Sequence, residues 1–282
     1  MAQIIGSLMT SHVPAIGVAL QRNLQDDDYW KPFFGGFPPI REWLADEKPD
    51  VAVVVYTDHG LNFFLDQLPT FAVGAASGYQ NADEGWGLTP VPAFPGDPDL
   101  SWHLIENLVE NDFDVTMCQE LLVDHAFAIP MQLFWPDRNQ NPDQIKAIPV
   151  CINTVQHPMP SPRRCLQFGQ ALGAALASYP EDIKVVVIGT GGLSHQLDGE
   201  RAGFINKEFD HWCMEKLVDD PEAIAAYSAH DLIRLAGAQG VEIVNWLTAR
   251  AALQGSVKKV SSNYHIPISN TATGLMLLEN AA

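Results

Sequence analysis

Four histidines share one local context. Ser11-His12 follows the apolar run Gln3 to Met9, Asp58-His59-Gly60 follows Val51 to Thr57, and Asp124-His125 follows Val115 to Val123. His195 follows the glycine run Gly189-Thr190-Gly191-Gly192-Leu193-Ser194, itself placed after Val185 to Ile188. Residues just beyond strand carboxyl ends gather at one edge of a sheet, so this spacing predicts that the four imidazoles converge. Neutral imidazole is a good donor to divalent transition metals. Two histidines and one carboxylate leave coordination positions open, a donor set that suits ferrous iron or zinc. The candidate carboxylate is Glu242, which stands among apolar residues in Gly240-Val241-Glu242-Ile243-Val244-Asn245-Trp246-Leu247. A buried acid there is costly unless a cation compensates it. Each residue alone reads as structural, the histidines in a core or on a surface and Glu242 on a solvated helix face; the combination is what points to a centre. His103, His157, His211, His230 and His265 lack the context and read as structural. Asp58 and Asp124, each preceding a histidine, either orient a neighbour or cap a turn.

Two other chemistries fail on spacing. A dinucleotide loop beginning at Gly189 would need glycine where the chain has Ser194, and no Lys-Ser/Thr pair follows for a phosphate loop. A serine hydrolase would need a Gly-x-Ser-x-Gly elbow, and no serine has one; Ser194 and His195, being adjacent, point apart on a regular backbone.

The elements that must hold these residues alternate. Short β-branched runs at Gln3 to Met9, Val51 to Thr57, Thr70 to Val73, Ala147 to Asn153 and Val185 to Ile188 read as buried strands. Asp99 to Leu108 and Cys165 to Leu176 carry apolar residues at helical period. From about Phe204 the pattern is helix after helix (Glu208 to Val218, Pro221 to Tyr227, Asp231 to Ala236, Gly240 to Leu253), before strands return at Val257 to His265 and Ala272 to Leu278. This predicts an α/β fold with a largely parallel or mixed sheet and a helical segment before the last strands. Residues 1–282 read as one domain, because the last strand needs the earlier ones to pair with. Phe33 to Pro39 and Gly78 to Pro98, rich in Gly, Pro and aromatics, read as ordered but irregular loops.

Composition narrows the partners. The 282 residues are 47% hydrophobic, enough for a substantial core, and 34 acidic against 16 basic side chains give a net charge of −18. That balance argues against nucleic acid and against a polybasic membrane surface; an anionic ligand would need local positive charge. No apolar run approaches the roughly 20 residues needed to span a bilayer. The first twenty residues have no Lys or Arg before Arg22 and are interrupted by His12 and Pro14, so they read as mature protein. Cys118, Cys151, Cys165 and Cys213 are widely spaced with no Cys-x-x-Cys pair, which fits a reduced, cytoplasmic protein.

Several separated motifs carry a family likeness: Thr10-Ser11-His12-Val13-Pro14-Ala15, Tyr56-Thr57-Asp58-His59, Asn81-Ala82-Asp83-Glu84-Gly85-Trp86-Gly87, Gly189 to Leu197, Arg201 to Asp210, and Tyr264 to Thr271. Across essentially the whole chain the sequence resembles the class III extradiol ring-cleaving dioxygenases, in the branch of protocatechuate 4,5-dioxygenase catalytic β subunits. The resemblance implies a three-layer α/β/α fold with a mixed central sheet. It also implies mononuclear non-haem Fe(II) held by His12, His59 and Glu242, with His195 as acid/base and His125 as a second active-site histidine. Ser269 and Asn270 match residues that receive a substrate carboxylate. The implied reaction opens protocatechuate at the 4,5 bond with O₂, giving 4-carboxy-2-hydroxymuconate semialdehyde in aromatic-compound catabolism.

Fe(II) with two neutral imidazoles and one carboxylate carries a net charge of +1, which a singly deprotonated catecholate neutralises. His195, with an ordinary pKa near 6.5, is suited to take the second hydroxyl proton and return it later. The resemblance further implies a small α subunit that helps cover the site in an α2β2 assembly. The competing readings are the same reaction on gallate or another catechol acid, a metal-free binding protein of the same superfamily, and a zinc hydrolase. Arg201 and Lys207 either hold an anionic substrate or form surface pairs.

Overall fold

The β-branched runs pair into one eight-stranded sheet. The computed structural model describes residues 1–85 and 87–281, with Pro267 described in its backbone alone; Trp86 of the Asn81–Gly87 motif therefore lies outside the described residues. The chain opens with β1 (Gln3–Thr10), α1 (Pro14–Gln21), α2 (Lys31–Phe34) and α3 (Pro38–Glu47). It continues through β2 (Val51–Tyr56), β3 (Phe71–Gly74), β4 (Gly78–Asn81) and β5 (Phe94–Pro95) to α4 (Pro98–Glu110). β6 (Thr116–Cys118) and β7 (Leu122–Val123) lead into α5 (His125–Phe134), followed by β8 (Lys146–Ile152), α6 (Pro162–Ser178) and β9 (Lys184–Thr190). Helices α7 (Lys207–Asp219), α8 (Pro221–Ala225), α9 (Ala229–Ala236) and α10 (Ile243–Ala251) precede β10 (Val257–Ile268) and β11 (Thr271–Asn280).

The strand order is β10-β11-β1-β9-β2-β8-β3-β6. The central pairs β1/β9, β9/β2 and β2/β8 are parallel, while β8/β3, β1/β11 and β10/β11 are antiparallel, so the sheet is mixed. All six β2 residues are buried, as a strand covered on both faces requires. Val51, Val53 and Val55 join the core beneath α4 and α6 to α10; Ala52, Val54 and Tyr56 join the core beneath α1, α2, α3 and α5. The result is the three-layer α/β/α arrangement. Register aligns the site: Gly189 of β9 lies opposite both Met9 of β1 and Val55 of β2, so these three central strands end together.

Several regions differ from the sequence reading, among them Gly78 to Pro98, which contains the short strands β4 and β5 and ends where α4 begins, because Tyr79 and Phe94 bury in the core. Phe33 to Pro39 is partly helical, because proline is well tolerated in a helix's first turn and Phe33, Phe34 and Phe37 bury against the sheet. Val115 to Val123 divides into β6, which joins the large sheet, and β7, which pairs with β4 in a small three-stranded sheet. Helix α5 was not legible as a helix: every residue but Gln132 is buried, so it shows no amphipathic stripe, and Pro130 interrupts it. Among the described residues, no helix is long and apolar enough to cross a membrane. All four cysteines are buried thiols.

Candidate metal centre

His12 leaves the end of β1 buried, with Nδ1 3.1 Å from the Thr190 hydroxyl and Nε2 3.5 Å from Glu242 Oε2. His59 leaves β2, and both its main-chain N–H and its Nδ1 meet Asp124 Oδ2, at 3.0 and 2.9 Å. An ionised carboxylate only accepts, so Nδ1 carries the proton and Nε2 turns inward, 3.4 Å from Glu242 Oε1. Glu242 ends a 3-10 turn (Gly240–Glu242) just before α10. Its carboxylate sits where a Cβ on Gly191 would be, 2.6 Å from Oε2, and Gly191 has φ +110°. Only glycine satisfies both the conformation and the space.

Electrostatics favours a cation here. Burial would raise the Glu242 carboxyl, but His12 and His59 outweigh it and hold it down to about 2. Burial, reinforced by His59 and His125 and opposed by Glu242, pushes His12 down to about 3. Burial pulls His59 down too, yet Asp124 and Glu242 together hold it well above its usual range. Asp124 falls to about 2, the hydrogen bond and charge of His59 overriding its burial. Positive charge between Glu242 and Asp124 is what this arrangement stabilises. Two donors each about 2.1 Å from one metal stand roughly 3.0–3.4 Å apart, depending on coordination angle. The His59 separation from Glu242, 3.4 Å, meets that requirement, and that of His12, 3.5 Å, lies 0.1 Å outside it.

His125 begins α5. Its main-chain N–H donates to Glu84 Oε1, and its Nδ1 lies 2.6 Å from Glu84 Oε2. Its ring stands 4.4 Å from that of His59 and 5.4 Å from that of His12, and the donor atoms of the three histidines lie within 4.8 Å of one another. His195 follows β9, held by its N–H on Ala236 O and by its carbonyl on the N–H groups of Gln239 and Gly240. Its Nδ1 meets Asn270 O at 3.0 Å and the Thr271 hydroxyl at 2.8 Å. A carbonyl only accepts, so Nδ1 is the donor and Nε2 keeps its lone pair. Burial lowers the His195 pKa, which keeps the ring neutral.

These four histidines and Glu242 line one cavity of about 390 Å³, together with apolar Val13, Pro14, Ala15 and Leu197 and the polar side chains of Gln239, Ser269 and Thr271. Its size falls within the usual range for small-molecule sites. Among the described residues, no Lys or Arg lines it. Ser269 reaches the cavity, whereas the Asn270 side chain turns toward Leu197 O, 3.5 Å away, and Asn270 serves the site through its carbonyl. Arg201 donates to Arg234 O and covers the Phe204 ring at 4.0 Å, while Lys207 is exposed at the start of α7. Neither lines the cavity.

Asp124 does both of the jobs open to it, orienting His59 and capping α5 through Ala126 N–H, while Asp58 caps the turn made by Leu61, Asn62 and Phe63. Three supports lie in the quoted motifs without any role having been read for them: Glu84, Thr190, and Asp210, whose buried carboxylate accepts from Ser194 N–H and Oγ and from the Tyr264 hydroxyl.

Comparison with known proteins places this geometry in context. Residues 6–275 match the family described as the catalytic LigB subunit of aromatic ring-opening dioxygenase. The chain is similar to gallate dioxygenase of Pseudomonas putida, 38% identical over 199 residues that span 71% of this chain and 58% of that enzyme's length. It is also similar to a 2,3-dihydroxyphenylpropionate/2,3-dihydroxicinnamic acid 1,2-dioxygenase of a Rhodococcus species, 26% identical over 94% of each chain. A solved structure of an uncharacterized Escherichia coli K12 protein aligns with TM-score 0.61 over 97% of this chain and 99% of its own, at 16% identity, a likeness of fold alone.

Proposed function

Because this chain belongs to the family of catalytic LigB subunits of aromatic ring-opening dioxygenases, we propose that it is an Fe(II)-dependent extradiol dioxygenase that opens protocatechuate at the 4,5 bond. The observation that carries the reading is the inward convergence of His12 Nε2, His59 Nε2 and both Glu242 oxygens beside the proton-accepting Nε2 of His195. His12, His59 and Glu242 would hold the metal. When bound, Fe(II) supplies the positive charge and open positions that bring two catechol oxygens and O₂ together.

The chain's own residues do the rest. His195 Nε2 accepts a substrate hydroxyl proton and returns it, a general base and then acid of the kind worth 10²–10⁴-fold in rate. His125 presents its Nε2 to the same cavity and hydrogen-bonds a substrate hydroxyl or an oxygen-derived group. Ser269 reads the substrate carboxylate with a neutral hydroxyl, and Asn270 supports it by fixing His195. Both atoms of O₂ enter the product, 4-carboxy-2-hydroxymuconate semialdehyde, so no external reductant is needed.

The similarity to gallate dioxygenase favours gallate as a second substrate reading. A small α subunit in an α2β2 assembly, in the cytoplasm, is part of the same proposal. The observation behind it is two exposed apolar side chains: Leu197, which lines the cavity, is 52% exposed, and Phe64, five residues after His59, is 61% exposed.

The test is anaerobic loading with Fe(II), addition of protocatechuate or gallate, then admission of air. Stoichiometric O₂ uptake with the yellow 4,5-cleavage product is expected, with protocatechuate faster and with higher turnover when an α-type subunit is supplied. Faster gallate turnover would select the second reading. Absence of uptake with both acids, with and without the α-type subunit, would overturn the proposal.

A further inference from the structure

We propose that Glu84 is a positioning residue that sets the tautomer and seat of His125, and that residues 82–85, anchored from Asn81 and from residues 87–93, are built to deliver it. The inference rests on the ring-opening reading only for its kinetic consequence.

The chain before and after Glu84 is tied down at several points. Asn81 accepts from Val91 N–H and donates to Val123 O, at 3.2 and 3.1 Å. Gln21 makes a two-way amide pair with Thr89, each bond 3.1 Å. The Arg138 guanidinium donates to the carbonyls of Pro92 and Ala93 and stacks 3.7 Å over the Phe94 ring. All these anchors grip the segment's backbone or its flanks. Glu84 alone, among the described hydrogen bonds, reaches from the segment to a side chain that lines the catechol-sized cavity.

Its two oxygens divide the work: Oε1 accepts the His125 main-chain N–H, and Oε2 accepts from Nδ1 at 2.6 Å. Helix capping does not explain this pair, because Asp124 already caps α5 through Ala126 N–H. What Glu84 adds is the ring contact. The carboxylate is only 13% exposed, and burying it costs free energy that two charge-assisted hydrogen bonds offset. An acceptor-only partner on Nδ1 forces the proton there, so Nε2 faces His12 and His59 as a fixed group. Without Glu84, the imidazole reverts toward the Nε2–H tautomer that histidine prefers in water, and the ring loses its restraint.

The experiment compares the full-length wild type with Glu84→Ala, Glu84→Gln and Gln21→Ala, the last loosening the same segment without touching His125. The ring ¹⁵N signals of His125 in the metal-free protein report the tautomer; kcat and KM of the iron-loaded enzyme report the consequence. Wild type and Gln21→Ala should show Nδ1–H, and Glu84→Ala should move toward Nε2–H. Loss of a ligand-orienting partner typically lowers activity 10–100-fold, so kcat of Glu84→Ala should fall by about that factor with KM changing less than about threefold. Glu84→Gln has one amide oxygen for two N–H donors; with that oxygen on the His125 main-chain N–H, its NH2 donates to Nδ1, so this variant should also move toward Nε2–H and lose kcat. If the alanine variant does not fold, the contrast of Glu84→Gln with wild type decides. Persistence of Nδ1–H without the carboxylate, or a loss in Gln21→Ala equal to that in Glu84→Ala, would overturn the inference. Wild type that consumes no O₂ with any catechol acid would sink the ring-opening reading, while the tautomer signals would still decide the role of Glu84.

Discussion

His195 acquires its chemistry from atoms that are not its own. The Asn270 carbonyl fixes the proton on Nδ1, and burial lowers the pKa, so the neutral base persists as the pH drops below the ordinary value near 6.5. The sign follows: activity should hold through pH 6.5 and fall only on further acidification, as the ring gains a proton and ceases to accept one. His195→Ala should lower turnover about 10²–10⁴-fold and flatten that acidic limb, measured as O₂ uptake across pH 5–9 at constant iron content. A wild-type limb centred above 6.5, or one unchanged in the variant, would remove His195 from the base role. The imidazoles were legible because each stands just past an apolar strand run. Glu84 stands in a motif that carries the family likeness, but its role was not legible, because it acts 41 residues away from its partner and no periodicity links them. The Asn270 contribution runs through a main-chain carbonyl, which any residue would supply, so side-chain identity could not reveal it.

At the scale of elements, the close approach of the β9 exit loop to the turn before α10 is what brings Glu242 to His12 and His59 in the proposed metal centre. A Cβ at Gly191 would stand 2.6 Å from Glu242 Oε2 and 2.7 Å from Glu242 Cβ, at a φ of +110°. Gly191→Ala should therefore cost about 1–3 kcal/mol in backbone strain and, by displacing the carboxylate, weaken Fe(II) or Co(II) binding at least tenfold. Gly199→Ala is the control, since its φ is +74° but nothing stands within 4 Å of the added Cβ. Urea midpoints and metal titrations of the two variants separate strain from displacement; equal metal affinity in both would refute the packing argument. Strands β1, β2, β8 and β9 were readable as β-branched runs because a sheet covered on both faces is apolar throughout. The same all-round burial concealed α5, whose pattern lacks a polar face, and prolines at helix starts disguised α2 and α3 as loops.

For the molecule as a whole, β2 shows why the two hydrophobic layers depend on each other: Val51, Val53 and Val55 serve one core, and Ala52, Val54 and Tyr56 the other. Neither layer can melt without stripping one face of the shared strands. Residues 1–282 should then unfold as one cooperative unit, as the pairing of β11 with β1 across nearly the whole chain also requires. The proposed metal centre adds a second constraint, because His12 and His59 leave the sheet while Glu242 arrives from the helical layer of α7 to α10. A cation joining them ties sheet to layer, so its binding should raise the whole transition rather than part of it. At a free concentration 100 times Kd, binding to the folded state alone contributes about 2.7 kcal/mol. In a chain of this size that corresponds to roughly 4–5 °C in Tm. Calorimetry of the metal-free protein, repeated with anaerobic Fe(II) or with Co(II), should show one peak that moves upward intact, and His12→Ala should abolish the movement. Two resolved peaks, or a metal-dependent shift of only one, would mean that the layers are energetically separate and that the site does not bridge them.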